Sequence, residues 1–532
     1  MGPRGAVKNP MHALSKPGWL ALLAGTVAAL AHPPFGFLPG LFGYGLLLAV
    51  VDRAEGERPL RSAFWRAFLA GFAYFAIGCW WVAEAFFVDA AEQGWMAPFA
   101  VILLAILLGV FWGAAGLLYR LLRPTDSLLK VLVFAGALCL LEWTRGHVLT
   151  GFPWNLPGET WRAGSAPSQA ASLVGAYGLS WLTVIAMGAL AAPFAFGRRR
   201  TTWAVLAGGV AIVAGLYAYG TVRLADTAPI RPDAPMVRVV QADVRQESKY
   251  DIDKEQAIVE RYLRLTAQPP TLEHAPTIVI WPEGALPWSA NDMFRASAWT
   301  SAAIAGALQP GQTLLMGGYR IDEKAIRVTY YNSLFALRRD GSDLKVMGIY
   351  DKHRLVPFGE YMPMETVMGA IGFKKLVHVA DTGFSSGPEP RPLEAKGIPR
   401  VQPLICYESL FPGFVREGAK VGGRADWIVN VSNDAWFGQT SGPWQHLNLA
   451  SYRAIEEGLP IVRATPTGVS AVIDAYGRPT RILPLGAFGV IDAPLPPPLP
   501  QTPFGRWGES GFWLMTALSA AALIPAAKGA RR

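Results

Sequence analysis

Cysteine is scarce in this sequence, and so is charge. Three cysteines in 532 residues, Cys79, Cys139 and Cys406, do not form the even, regularly spaced set that a disulfide framework needs. Cys406 has no nearby Cys or His at ligand spacing, which argues against zinc. Charged residues make up only 16% of the chain against 52% hydrophobic, with a mean hydropathy of +0.27, where soluble domains carry about 25% charged residues. The shortfall lies in residues 1–230 and near the C-terminus, so a membrane part is expected beside a soluble one. Cys79 and Cys139 fall in apolar runs, as small packing residues do. Cys406 stands alone in the soluble part as a candidate nucleophile.

The basic excess has the same geography. Between Arg231 and Arg506, 29 Lys and Arg face 28 Asp and Glu, so eight of the nine net positive charges lie outside that stretch. A nucleic-acid partner would want a basic face on the soluble domain, and none is expected.

A bilayer-crossing helix needs about 20 mostly apolar residues. Eight candidates occur: Pro17–Ala31, Phe35–Val51, Phe64–Phe87, Trp95–Tyr119, Leu128–Leu141, Ser172–Phe196, Thr201–Tyr219 and Gly511–Ala527. The first, second and fifth are short or interrupted by Gly and Pro. Of the 19 basic residues outside the soluble part, 16 fall in alternate loops and at both ends of the chain, including Arg53, Arg66, Arg120, Lys130 and Arg198–Arg200. Cytoplasmic loops are the ones enriched in Lys and Arg, so both termini are expected in the cytoplasm and residues 229–507 outside it. The spans are nearly free of ionisable groups, which argues against a transporter. The expected organisation is a membrane domain over 1–228 with seven helices, a soluble domain over 229–507, and a last helix with its tail over 508–532.

In the soluble domain, Met236–Val244, Thr277–Trp281, Thr313–Gly317, Val401–Cys406 and Trp427–Val431 read as buried strands. Tyr331–Arg338 and Lys345–Tyr350, joined around Asp340-Gly341, read as a hairpin, and Ile258–Ala267 and Thr300–Leu308 as helices. The alternation indicates an α/β domain with a mixed sheet.

Three segments place reactive groups just past apolar strands, where α/β sites gather. They are Trp281-Pro282-Glu283, Tyr350-Asp351-Lys352-His353 leading to Glu360, and Cys406-Tyr407-Glu408. A free thiol is mostly protonated at neutral pH, so it needs a base, and Glu283 can serve if it is held within hydrogen-bond reach. Lys352 would supply fixed positive charge for thiolate and oxyanion, with the Tyr407 N–H as a second donor. A Cys–His pair is the rival. Its candidates are His353, which as a neighbour of Lys352 would point to the opposite face, and His446.

Taken in order, these segments resemble the nitrilase (carbon–nitrogen hydrolase) superfamily, whose sites use a Glu, a Lys and a Cys. KHRLVPFGEYMP at Lys352–Pro363, CYES at Cys406–Ser409, NVSNDAWFG at Asn430–Gly438 and GPWQH at Gly442–His446 are similar to its apolipoprotein N-acyltransferase branch. The resemblance implies an α-β-β-α sandwich on a bundle of eight membrane helices in a bacterial inner membrane, with the sandwich periplasmic. It implies Glu283, Lys352 and Cys406 as catalytic residues, with Glu360, Tyr407 and Glu408 supporting them. It also implies ping-pong acyl transfer without a metal or diffusible cofactor. The donor would be a phospholipid, phosphatidylethanolamine first among them, and the acceptor a diacylglyceryl apolipoprotein. A membrane-tethered amidase with water as acceptor is the rival within this chemistry. Asn433, Trp436, Trp444 and His446 are substrate-binding candidates with packing or structural hydrogen bonding as the alternative. Met362–Val377 reads either as a lipid-admitting lid or as a surface helix.

Overall fold

The computed structural model describes residues 16–523 except 123, 227, 247–251, 296–298, 324–327 and 364–382. The expected lid therefore lies outside the described residues from position 364 on.

Among the described residues, seven helices of 11 residues or more precede the soluble domain: α1 Lys16–Leu30, α2 Phe42–Asp52, α3 Pro59–Gly78, α4 Ala97–Leu122, α5 Ser127–Arg145, α6 Ala171–Ala195 and α7 Arg200–Ala225. Small residues let them approach closely, as is usual where lipid removes the hydrophobic drive between helices. On α4, a Cβ at Gly116 would sit 2.6 Å from Ala67 Cβ and 2.7 Å from Ala63 O of α3. The outer faces stay apolar and uncovered, with Phe99, Leu103, Leu107 and Val110 of α4 and Trp203, Val210 and Val222 of α7 exposed. Such surface suits hydrocarbon.

By length and apolarity, four helical stretches among the described residues can cross a membrane, or five if the pair Pro59–Gly78 and Trp80–Phe87, bent by 47°, is one span. The expected count of eight is not confirmed by this criterion. The first two candidates form only shorter apolar helices, Pro17–Leu30 and Leu38–Asp52, and Pro33, Pro34 and Gly36 stand in the break between them. The last described helix covers 12 residues, Ser510–Ala521.

The basic residues of the expected cytoplasmic side converge on one end of the bundle. Lys130 pairs with Asp52 at 2.8 Å, Arg66 donates to Val50 O at 2.7 Å, Arg120 to Ala54 O at 3.1 Å, and Arg53 to Phe194 O at 3.1 Å.

The soluble domain contains two sheets. One has the order β11-β1-β2-β3-β4-β5 and the other β10-β9-β8-β7-β6. The strands are β1 Met236–Gln241, β2 Ile278–Trp281, β3 Thr313–Asp322, β4 Thr329–Asp340, β5 Asp343–Asp351, β6 Val401–Ile405, β7 Trp427–Val431, β8 Ile461–Ala464, β9 Ser470–Ile473, β10 Pro479–Leu483 and β11 Gly489–Pro494. β1–β2–β3 and β6–β7–β8 run parallel, and β4–β5 is the expected hairpin. Alternation along each strand sorts side chains between two layers. Val239, Ile280 and Leu315 of one sheet meet Val401, Val429 and Val462 of the other between the sheets. The opposite faces turn to helices. Val279, Trp281 and Leu314 pack under α8 (Ile252–Ala267) and α9 (Trp299–Ala307). Leu404, Ile428 and Ile461 pack under α10 (Phe414–Gly422) and α11 (Gly442–Glu457). The result is an α-β-β-α sandwich.

Its last layer is shared with the bundle. Tyr452 of α11 donates to Gly158 O at 2.9 Å, and Glu456 accepts from Ala176 N of α6 at 2.8 Å. Trp81 and Trp154 both donate to Gln445 Oε1, at 3.0 and 2.8 Å. A single apolar core runs from the helices into the sandwich.

Candidate active site

Strand ends deliver the reactive groups. Glu283 follows β2 by two residues, Lys352 follows β5 directly, and Cys406 follows β6 directly. Cys406 takes φ +48°, a left-handed conformation that turns the chain sharply from strand into the short helix Cys406–Leu410. For a residue with a Cβ this conformation is uncommon and has to be held by its surroundings.

Lys352 is 1% exposed and lies between two carboxylates, with Nζ 2.8 Å from Glu360 Oε1 and 3.5 Å from Glu283 Oε1. Burial alone would lower its pKa. Glu360 and Glu283 outweigh that penalty, so the ammonium is held above its usual range. Both oxygens of Glu283 are fixed, Oε1 by Asn332 Nδ2 at 2.7 Å and Oε2 by the Asn433 N–H at 2.8 Å. Asn332 Nδ2 also donates to Glu360 Oε1 at 2.8 Å, and the Val356 N–H holds Glu360 Oε2 at 2.8 Å.

The Cys406 thiol feels this cluster. Burial and then Glu283 push it up to about 12, while the Lys352 ammonium and a hydrogen bond with the Ser432 hydroxyl act the other way. The resting sulfur is therefore a thiol beside a carboxylate and an ammonium. For such a sulfur to act as a nucleophile, a base would have to take its proton.

Glu408 has a different part. Its Oε1 accepts from Tyr350 Oη at 2.8 Å and the His353 N–H at 2.7 Å, and its Oε2 from the Ile405 N–H at 2.8 Å. It ties the end of the Lys352 strand to the Cys406 turn. Burial raises its pKa against these bonds.

His446 lies behind Cys406, 1% exposed. Nε2 is 3.3 Å from Cys406 O and 2.9 Å from Ser409 Oγ, and Nδ1 is 2.9 Å from Asp434 Oδ1. Burial and Arg463 lower its pKa, Asp434 opposing them, so the imidazole is neutral. Arg463, 2.6 Å from Asp434 Oδ2, is the main counterweight to burial that holds that carboxyl well below the usual range. His446 thus touches the backbone carbonyl of Cys406. His353 Nδ1 is engaged with Gly387 O at 2.8 Å.

The remaining candidates separate. Asn433 is in the cluster through its N–H, and its side chain donates to Gln246 Oε1 at 2.8 Å. Trp436 lies on the following turn, 41% exposed. Trp444 is not with them. It occupies the face of α11 shared by Leu447, Asn448 and Ser451, lining a cleft of about 550 Å³ against Pro33 and Trp161 of the bundle side. Among the described residues no group of three His, Cys, Asp or Glu side chains could hold a metal ion.

Asn332, Ser432 and Arg463 are site residues that sequence reasoning does not single out. Asn332 interrupts a strand rich in aromatic and aliphatic residues, a polar side chain where packing needs none; that was the available signal.

Two family models match the chain in tandem. The apolipoprotein N-acyltransferase N-terminal domain covers residues 24–189 and the carbon-nitrogen hydrolase family residues 236–500. An apolipoprotein N-acyltransferase of Caulobacter vibrioides is 56% identical, over 94% of this chain and 93% of its own. One of Allorhizobium ampelinum is 37% identical over 95% and 96%, and one of Rhodopseudomonas palustris 38% over 94% of each. Among solved structures, a nitrilase-superfamily amidase from Nesterenkonia AN1 aligns with 50% of this chain and 93% of its own, at 20% identity and a TM-score of 0.33. At 56% identity over nearly its whole length, and with both family models matched in order, the chain belongs to the apolipoprotein N-acyltransferase family.

Proposed function

We propose that the protein moves an acyl chain from a phospholipid, phosphatidylethanolamine in the first place, to the α-amine of an S-diacylglyceryl-cysteine at an apolipoprotein N-terminus, by way of a thioester on Cys406. Glu283 takes the thiol proton as the sulfur attacks the ester carbonyl. Lys352 and the Tyr407 N–H bind the tetrahedral oxyanion. Its collapse breaks the ester C–O bond, Glu283 returns the proton to the leaving oxygen, and lysophospholipid departs. The amine then attacks the thioester and gives its proton to Glu283. Collapse of the second oxyanion breaks the C–S bond, and the thiol is restored.

Glu360 keeps Lys352 charged and in place, and Asn332 and Asn433 aim the base. The carrying observation is the half-buried Cys406 thiol, close enough to feel the charges of Glu283 and Lys352, on a sandwich seated against an apolar helix bundle. In this reading the two shorter helices and the C-terminal helix complete an eight-helix platform in the bacterial inner membrane. The sandwich faces the periplasm and both termini the cytoplasm, in keeping with the basic cluster at one bundle end. The domain limits are then 1–228, 229–507 and 508–532.

The test is incubation with labelled phosphatidylethanolamine and two diacylglyceryl lipopeptides, one with a free and one with an acetylated α-amine. Label should pass to the free-amine peptide alone. Release of label only as free fatty acid would overturn the reading in favour of a hydrolase.

A further inference from the structure

The mechanism leaves unused a buried ion pair inside the bundle. Glu142 and Arg145, at the C-terminal end of α5, are 0% and 2% exposed. Trp112 Nε1 of α4 donates to Glu142 Oε1 at 2.7 Å, and the Arg145 guanidinium clasps the same carboxylate while lying 4.9 Å over the Phe75 ring. Charge at this depth is expensive, and a buried pair is weak support for stability compared with apolar packing. What this pair supplies that apolar residues would not is a directed donor: Arg145 Nη1 hydrogen-bonds Phe152 O, and the Phe152 N–H returns to Arg145 O at 2.9 Å.

The loop so anchored has an unusual shape. Leu149, Thr150 and Gly151 take φ of 54°, 73° and 82° in succession. Two of them carry a Cβ, so the conformation has to be imposed from outside the loop. A side chain at Gly151 would run into Gly146 O. The loop's polar atoms reach both halves of the active site. Gly151 O accepts from the Tyr407 hydroxyl, one residue past the nucleophile. Thr150 Oγ1 accepts from Tyr361 Oη at 3.0 Å, one residue past Glu360, which holds Lys352.

We propose that Glu142 and Arg145 are positioning residues for the oxyanion-binding turn. Through Phe152 O they fix the loop at 149–152, and through Gly151 O the loop fixes Tyr407, whose N–H meets the developing oxyanion. The bundle thus sets reactive geometry as well as lipid access. Arginine is required because one planar fork reaches both Glu142 and Phe152 O; a lysine ammonium keeps the charge and loses the second arm. This inference rests on the acyl-transfer reading above.

The experiment compares full-length wild type with Arg145→Lys, Tyr407→Phe and the double variant in detergent. Two rates are read at Cys406 by peptide mass spectrometry: acylation by phosphatidylethanolamine in a single turnover, and alkylation by iodoacetamide, which forms no oxyanion. Loss of a whole oxyanion donor costs about 100- to 1000-fold, so a displaced one should cost about 10- to 100-fold in acylation. Alkylation should stay within about twofold, and the double variant should match the slower single one, as coupled residues do. Unchanged acylation in Arg145→Lys, a parallel fall in alkylation, or multiplying losses would overturn the proposal. If Arg145→Lys does not fold, Trp112→Phe, which frees Glu142, is judged by the same ratio of rates, and an unchanged ratio overturns it. Wild-type protein that is never acylated sinks the transfer reading itself; acylated wild type with unaffected variants sinks only this inference.

Discussion

Asn332 donates its side-chain amide to Glu283 Oε1 across 2.7 Å, and the same nitrogen lies 2.8 Å from Glu360 Oε1. One neutral donor therefore holds two carboxylates around the Lys352 ammonium and fixes the Glu283 carboxylate, the base of the proposed mechanism. Replacing it removes an aligned partner from each.

Asn332→Ala should lower the acylation rate about 10- to 100-fold and destabilise the fold by about 1–3 kcal/mol, the usual cost of leaving buried acceptors short of a donor. Asn332→Asp should be worse on rate, because a third carboxylate would compete for the lysine. Single-turnover acylation and denaturant unfolding in detergent check both. Equal rates in wild type and Asn332→Asp would refute the electrostatic reading.

Gly317 of β3 runs under Glu283. A Cβ there would lie 2.6 Å from both Glu283 Cα and Pro282 O, and backbone atoms cannot step aside. Gly317→Ala should cost about 1–3 kcal/mol in overpacking. By shifting Glu283 it should also cost up to about 100-fold in acylation. An active, fully stable variant would show that the position of Glu283 matters less than stated.

Asp434 neutralises Arg463, both of them 0% exposed. Asp434→Ala strands a buried guanidinium and should cost about 3–5 kcal/mol. It also frees the His446 ring behind Cys406 O. Unfolding midpoints measure this, and a loss below about 1 kcal/mol would contradict it.

Three acids at the junction of sandwich and bundle give stability a pH dependence. Burial first, opposed by Arg453, raises Glu159 to about 8 and Glu456 to about 7; burial and Glu456 raise Glu457 to about 8. Raised above 4.5, these groups hold protons more tightly when folded. Their stabilisation is complete below pH 4.5 and is lost as the pH climbs through 7 to 8. Melting temperature in detergent should fall over that window, and Glu457→Gln should flatten the fall. A midpoint that rises with pH would be the contrary result.

Much of this site could be read in the chain before its coordinates. Glu283 and Cys406 follow the buried apolar strands β2 and β6, while Lys352 follows β5, a mostly exposed or half-buried strand that carries Asp343 and Lys345. β8 to β11 are harder to read: Ile461–Ala464 and Ser470–Ile473 are four residues each, and Pro479–Leu483 and Gly489–Pro494 are led by proline and glycine. Short strands take their identity from neighbours in the sheet rather than from local pattern. The placement of Trp444 was equally hidden, since the face of a helix it occupies depends on what packs against each side. The loop at 149–152 left no trace at all. Leu149 and Thr150 are not residues that advertise left-handed backbone, and only tertiary contacts hold them there.

The most direct measurement is the mass of the intact chain after brief exposure to phosphatidylethanolamine of defined acyl chains, without acceptor. One acyl group should be gained on Cys406, released by hydroxylamine, and absent in Cys406→Ser as a thioester. An acyl group on another residue, or steady lipoprotein acylation with Cys406 never modified, would contradict it.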